Sequence, residues 1–366
     1  MITTILPLLI SGIIVTYLLP QVMLLSLKKR LVDRVNSRKV HTTTASRLGG
    51  ITFCPAILLS VFLTISLIGT VHPSILTDNI TIKFTLDLSA IFILYFVGLY
   101  DDVIGVDYNK KFLAQIASAL LIIASWSYLQ SLYGIMGIWD IPSYVGIPLT
   151  IALIVFIVNA MNLIDGIDGL ASLLSIMALT VYGILFASHD YVYHSIISFA
   201  TAGALIPFCY SNIFGIRRGI TSKIFMGDSG SLVIGTVLAI LAIKLCIVSE
   251  FEYIAHENWI SEHFFVMAYT MLMLPCFDVV RVILHRTRAK TPLFKPDKNH
   301  IHHKFLRLGM SQRSALFCIL AMNLLFMGLN ITLAFLANIN IIVAIDIVIW
   351  TILHIFLTNK INKKEQ

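Results

Sequence analysis

Stretches of roughly 20 nearly uncharged apolar residues recur along this chain from its first residues to its last, each long enough to cross a hydrocarbon core of about 30 Å as a helix. In hydrocarbon a backbone must satisfy its own N–H and C=O groups, so runs of this kind predict transmembrane helices. The expected spans are 4–27, 48–70, 84–100, 112–129, 144–163, 169–188, 192–211, 230–249, 263–284, 314–337 and 340–358. Composition agrees. Of 366 residues, 58% are hydrophobic and 12% charged, where a soluble domain is about a quarter charged. The expected fold class is therefore all-α integral membrane, with about eleven transmembrane helices forming one polytopic domain over residues 1–366.

The first run, Thr4 to Leu27, has no basic residue before it and a dense basic cluster after it. That reverses the charge order of a cleavable signal peptide, so the run is expected to remain as a helix. Lys and Arg that flank spans stay cytoplasmic, and 23 of the 26 fall on one side of the expected topology. They lie in residues 28–47, 101–111, 212–229 and 286–313 and in the tail after Leu357, whereas 129–143, 188–191 and 250–262 contain none. The N-terminus is thus expected outside and the C-terminus in the cytoplasm. Three cations remain: Lys83 opens the third span, Arg281 closes the ninth, and Lys244 is expected to snorkel from the outer end of the eighth. Cys54, Cys209, Cys246, Cys276 and Cys318 sit inside apolar runs, without metal-binding spacing, and read as packing residues.

Five polar segments stand on the cytoplasmic side of this topology. The third span ends in Asp101-Asp102, followed by Lys111; acids at a helix end are either solvated or functional, and the pair alone does not say which. The link between spans five and six reads Asn159-Ala-Met-Asn162-Leu-Ile-Asp165-Gly-Ile-Asp168-Gly169-Leu170. Its glycines permit tight turns, and its Asp and Asn supply hard oxygen ligands suited to Mg²⁺ or Mn²⁺; a plain polar turn would not require so many oxygen donors. Before the eighth span comes Phe225-Met-Gly-Asp228-Ser-Gly-Ser231. This reads either as an ordinary capped helix start or as a phosphate-approaching turn with Asp228 as a metal ligand and Phe225 as a base-stacking ring. The basic loop Phe294 to Lys304 contains His300, His302 and His303, which fit polyphosphate contact better than zinc, with a purely structural loop as the alternative. Lys28, Lys29 and Arg30 read as a topology signal and a surface for membrane lipid, and Arg47, beside Gly49-Gly50, as a candidate for a substrate phosphate. An acidic metal centre ringed by cations is what phosphoryl transfer needs, and the location implies one water-soluble and one membrane-borne substrate.

These motifs, in this order, resemble the polyprenyl-phosphate N-acetylhexosamine 1-phosphate transferase family, glycosyltransferase family 4, over nearly the whole chain. The His-Ile-His-His form is similar to the branch containing the WecA and TagO enzymes. The resemblance implies an eleven-span fold with a cytoplasmic active-site cleft in a bacterial inner (plasma) membrane. It implies Mg²⁺, with Mn²⁺ as a substitute, and transfer of N-acetylhexosamine 1-phosphate from a UDP-N-acetylhexosamine to undecaprenyl phosphate with release of UMP. By motif position, Asp228, Asn162 and Asp165 would serve the metal, and Asp101, Asp102 and His302 the chemistry. Arg47, Lys111, Asp168, Phe225, His300 and His303 would bind substrate, with Asp168 and Phe225 on the uracil. The most expected sugar is N-acetylglucosamine; a muramoyl pentapeptide or a 6-deoxy sugar is the alternative within the family. A secondary transporter, pointed to by Asp346 within an apolar stretch with few polar neighbours, and a non-catalytic lipid-binding scaffold are the alternatives outside it. A homodimer is compatible with the resemblance. Nucleic acid is not an expected partner, because topology and phosphate chemistry account for the net charge of +7. Val35, and the Thr44-Ala45-Ser46-Arg47 segment without proline, depart from the family pattern in the first cytoplasmic loop.

Overall fold

A computed structural model describes residues 2–29, 32–33, 45–71, 78–218, 220–256, 260–292 and 299–365. Arg30, Val35, Thr44 and the Phe294 to Lys298 part of the basic loop lie outside these residues. Twelve helices run in the order α1 (Ile2–Lys28), α2 (Phe53–Val71), α3 (Asp78–Val103), α4 (Tyr108–Ala124), α5 (Ser143–Ile164), α6 (Leu170–Ser188), α7 (Val192–Phe214), α8 (Gly227–His256), α9 (Ile260–Arg288), α10 (Ile301–Arg307), α11 (Gln312–Ala334) and α12 (Ile339–Glu365). Among the described residues, ten helices are long and apolar enough to cross a membrane. The expected fourth span, 112–129, is the 17-residue α4, which begins earlier and stops at Ala124. Trp126, at φ 62°, turns the chain left-handed just beyond it, a conformation that no helix continues through. Short antiparallel ribbons occupy three connections: β1 (Val32–Asp33) with β2 (Ala45–Ser46), β3 (Ser131–Ile135) with β4 (Ile138–Asp140), and β5 (Ile216–Arg218) with β6 (Ile220–Ser222).

The chain divides into two compact units, Met1–Leu129 with Ser143–Ile247, and Gln130–Pro142 with Val248–Gln366. In the first, α1 lies against α7 where Gly12 and Gly203 let the backbones approach; a Cβ on Gly203 would meet the Leu8 carbonyl at 2.2 Å. Lipid tails are as apolar as Leu, so small residues that permit close packing do much of the work of joining such helices. α8 is the most enclosed span, with 89% of its apolar window buried against 22% for α1. Glycines bring its neighbours in: a Cβ on Gly98 of α3 would meet the Asp228 carbonyl at 2.6 Å, and one on Gly235 would meet Val158 of α5 at 2.9 Å. Between α4 and α5, Gln115 and Asn159 exchange amide hydrogen bonds of 3.2 and 2.8 Å.

Lys244 does not snorkel. Its ammonium is largely buried and lies 3.5 Å from the Asp87 carboxylate of α3, while Ser125 donates to Asp87 at 2.7 Å. A charge that has a partner inside the bundle need not reach for water.

In the second unit the β3–β4 hairpin is pinned to α12 by Asn340, which accepts from the Met136 N–H at 2.7 Å and donates to the Gly134 carbonyl at 2.7 Å. Asp346, expected to have few polar neighbours, is fully buried and accepts from Tyr269 at 3.0 Å and from Asn330 at 2.9 Å. Tyr269 comes from α9, 77 residues away, and Asn330 from the preceding helix α11, 16 residues away, so neither lies within the apolar stretch around Asp346.

Candidate active site

The first unit gathers most of the expected residues around the start of α8. Gly227, at φ 70°, turns the chain into that helix, and a Cβ there would meet the Arg47 carbonyl at 2.1 Å and the Asp102 carboxylate at 2.6 Å. The first turn of α8 is capped from another helix. Asp102, near the end of α3, accepts from the Asp228 N–H at 2.8 Å, the Ser229 N–H at 2.9 Å and the Ser229 hydroxyl at 2.6 Å. Two orphan N–H groups of the helix start are thereby satisfied, and the carboxylate suits the positive end of the helix dipole.

Asp101 faces differently. It accepts from the Val106 N–H at 2.6 Å and from the Lys111 ammonium at 3.0 Å, and the same ammonium donates to Asp228 Oδ1 at 2.6 Å. Asn162 reaches that oxygen as well, donating at 2.5 Å, and its amide also donates to Ser231 at 2.7 Å. Lys111 from α4 and Asn162 from α5 thus converge on one carboxylate oxygen of α8. The Gln115–Asn159 pair stands one turn from both, fixing the two helices in the register that this convergence requires.

Asp165 is half-buried in the α5–α6 connection. Burial, and then the nearby charges of Asp168, Asp228 and Asp102, push its carboxyl up to about 7. Asp168 accepts from Lys223, a residue to which the sequence reading gave no role. Asn212 of α7 was also missed. It accepts from the Gly169 N–H at 2.6 Å and donates to the Ile224 carbonyl at 2.9 Å, tying the Asp168 turn to the segment before α8. Gly49 and Gly50 serve close packing: their N–H groups bond the Phe225 and Met226 carbonyls at 3.0 and 2.8 Å, and a Cβ on Gly50 would sit 2.1 Å from the Gly230 nitrogen. Arg47 itself is exposed, and Phe225 is half-buried with its own N–H on the Ser46 carbonyl at 2.7 Å.

The donor set fits a divalent cation. Mutual repulsion among Asp165, Asp168, Asp228 and Asp102 is the condition that a hard cation relieves, and the Asp165 and Asp228 carboxylates with the Asn162 amide oxygen are hard ligands. Among the described residues no three His, Cys, Asp or Glu converge into a complete protein cage. A Mg²⁺ held by one or two carboxylates, with waters and substrate phosphates completing its shell, would not need such a cage.

The second unit holds the three histidines. His300 Nδ1 bonds Asp278 Oδ2 at 2.8 Å, and its ring is nearly parallel to that of His302, at 3° and 5.8 Å. The rings of His302 and His303 lie 4.2 Å apart. His302 is 1% exposed, and its Nδ1 has no hydrogen-bond partner among the described residues. Burial, then the neighbouring His303, takes its imidazole down to about 3, so it is neutral at physiological pH. Lys304, brought down to about 8 by burial and then Arg281, donates to Thr358 at 2.8 Å. Asp278, fully buried within α9, was not anticipated from the sequence; an acid inside an apolar span was the available signal.

A multi-pass helical membrane protein with an amide- and lysine-bound acid cluster at the ends of its spans is the class that fold and site define. The model of Glycosyl transferase family 4 matches residues 84–246, the stretch that carries Asp101 through Asp228. The decaprenyl-phosphate N-acetylglucosaminephosphotransferase of Mycobacterium tuberculosis is 32% identical over 288 residues, covering 75% of this chain and 69% of that protein. The undecaprenyl-phosphate alpha-N-acetylglucosaminyl 1-phosphate transferase of Haemophilus influenzae is 30% identical, covering 78% and 74%, and the Yersinia pestis enzyme of that name 29%, covering 79% and 73%. This chain belongs to glycosyltransferase family 4.

Proposed function

We propose that this chain transfers N-acetylglucosamine 1-phosphate from UDP-N-acetylglucosamine to undecaprenyl phosphate, releasing UMP, at the cytoplasmic end of its bundle in a bacterial plasma membrane. The observation that carries the reading is the convergence of Lys111 and Asn162 on Asp228 Oδ1, at a helix start capped by Asp102. The names of the relatives supply the acceptor and the sugar. The basic residues beside these span ends support the cytoplasmic orientation.

An oxygen of the lipid phosphate attacks the β-phosphorus of the nucleotide sugar, and the bond to UMP breaks. A phosphate monoester has a second pKa of about 6, so the acceptor is mostly dianionic at neutral pH and requires little help from a base. Asp101 takes any residual proton and orients the lipid phosphate. Asp102 acts on Asp228, holding its backbone so that the carboxylate faces Lys111 and Asn162. Lys111 supplies a cation to the phosphates from between Asp101 and Asp228. Asp228 and Asp165, with the Asn162 oxygen, would hold Mg²⁺, which would neutralise charge on the diphosphate. Lys223 orients Asp168 for the uracil, on which Phe225 stacks, and Arg47 meets a phosphate. His300 and His303 contact substrate, and His302, neutral, supplies hydrogen bonds.

The test is UMP release by purified protein in detergent with Mg²⁺, undecaprenyl phosphate and UDP-N-acetylglucosamine. Release that requires both metal and lipid is expected, and chelation followed by Mg²⁺ return should remove and restore it. No release with this donor, but release with another UDP-sugar, would keep the reaction and overturn the sugar.

A further inference from the structure

Asp278 has no place in the reaction as derived above, yet its carboxylate meets three groups of the second unit. It is fully buried within the apolar helix α9. Its Oδ1 accepts from Arg281 Nη2 at 2.8 Å and from the Ile301 N–H at 3.0 Å, and its Oδ2 faces His300 Nδ1 at 2.8 Å. Arg281 in turn donates to the Asn299 carbonyl. Acid and guanidinium together therefore grip three consecutive residues, Asn299 by its carbonyl, His300 by its ring and Ile301 by its N–H. A carboxylate in such surroundings persists only where its lone pairs are met, and here they are met by Arg281 of the same helix together with His300 and Ile301.

We propose that Asp278 is a positioning residue for the transferase reaction, acting through His300. A carboxylate holding a proton on Nδ1 selects one tautomer and one ring plane, and leaves Nε2 as the nitrogen that meets a substrate phosphate or moves a proton. The ring so fixed lies parallel to His302, so Asp278 sets the orientation from which that ring stack begins. Arg281 balances the buried charge and anchors the chain just before the ring. The inference rests on the reading of His300 as a substrate-facing group.

The test uses the full chain in detergent and the variants Asp278→Asn, His300→Gln and the two combined. In the parent protein, ¹⁵N-histidine NMR should show the His300 proton on Nδ1, and Asp278→Asn should alter that signal. Asp278→Asn should lower kcat by about 10- to 100-fold, as losing a carboxylate that orients a histidine does elsewhere, with KM for the nucleotide sugar changed by less than about twofold. His300→Gln retains a group near Nε2 but no ring nitrogen for Asp278 Oδ2 to orient, so adding Asp278→Asn to it should bring no further loss in kcat per folded molecule. Turnover of Asp278→Asn within about twofold of the parent would overturn the proposal. So would losses that multiply in the double variant, or losses that only track the amount of folded protein on size exclusion. A parent protein that releases no UMP would sink the functional reading instead, and the NMR signal would still decide whether Asp278 holds the ring.

Discussion

The first unit contains two carboxylate–ammonium clusters that draw on the same three segments of chain, and they end in opposite states. At one end of α3 and α8, Asp87 meets Lys244 with Ser125 between them, one acid to one cation, the acid and the serine buried and the lysine largely so. At the other end, Asp101, Asp102, Asp165, Asp168 and Asp228 share Lys111 and Lys223, and Asp165 feels the repulsion of its neighbours. Fourteen positions separate Asp87 from Asp101 along α3, roughly 21 Å at 1.5 Å per residue. The same residue types thus make a closed brace where charges balance and a candidate active centre where acids are in excess. What distinguishes them is stoichiometry and access, not chemistry.

That contrast can be broken from either end. The largest effect is expected for Asp228→Ala, which removes the oxygen shared by Lys111 and Asn162: UMP release should fall about 10³-fold or more, with membrane insertion and elution on size exclusion unchanged. Substantial retained turnover would sink the assignment of Asp228. Lys111→Met should follow, with turnover down about 10²-fold and the thermal midpoint nearly unmoved, because the Asp101 and Asp228 carboxylates it leaves can be hydrated. Lys244→Met should do the reverse. It strands a buried Asp87 and should destabilise by about 3 kcal/mol, read as a lowered midpoint, while turnover per folded molecule stays within about twofold. Adding Asp87→Asn should recover much of that midpoint; no recovery would mean that Lys244 stabilises by packing rather than by charge. The smallest effect belongs to Gln115→Ala, about 0.6 kcal/mol for an interhelical hydrogen bond in a membrane. Its stability loss should be near the limit of detection, yet turnover should drop measurably if the amide pair sets the register of Lys111 and Asn162.

Much of the candidate site is legible in the sequence because its acids and amides interrupt apolar stretches, where any polar group stands out. Asp101, Asp102, Asn162, Asp165 and Asp228 were visible for that reason, and the structure collects them. What each touches was not visible. That Asp102 caps the helix carrying Asp228, while its neighbour Asp101 faces Lys111, depends on how α3 is rotated against α8. Pairings between different spans, Asp87 with Lys244 and Asp346 with Tyr269 and Asn330, leave no trace in the stretch around each acid, so the sequence alone reads Lys244 as snorkelling and Asp346 as isolated. Lys223 was passed over because a lysine beside a turn is ordinary, and Asp278 because it is a single acid inside a long apolar run. The spans were legible from length and hydropathy except where a helix stops for a backbone reason, as α4 does before Trp126.

Around the first turn of α8, Gly98, Gly50 and Gly227 come from three separate segments, and a methyl group on any of them would strike backbone or the Asp102 carboxylate. Backbone cannot move aside as a flexible side chain can. In a saturation screen of this chain, then, the substitutions tolerated least should include some at residues with no functional group at all, and alanine there should be as unforgiving as a large residue. The proposed chemistry belongs to the acids, but the tolerances within which they are placed are set by the absence of atoms.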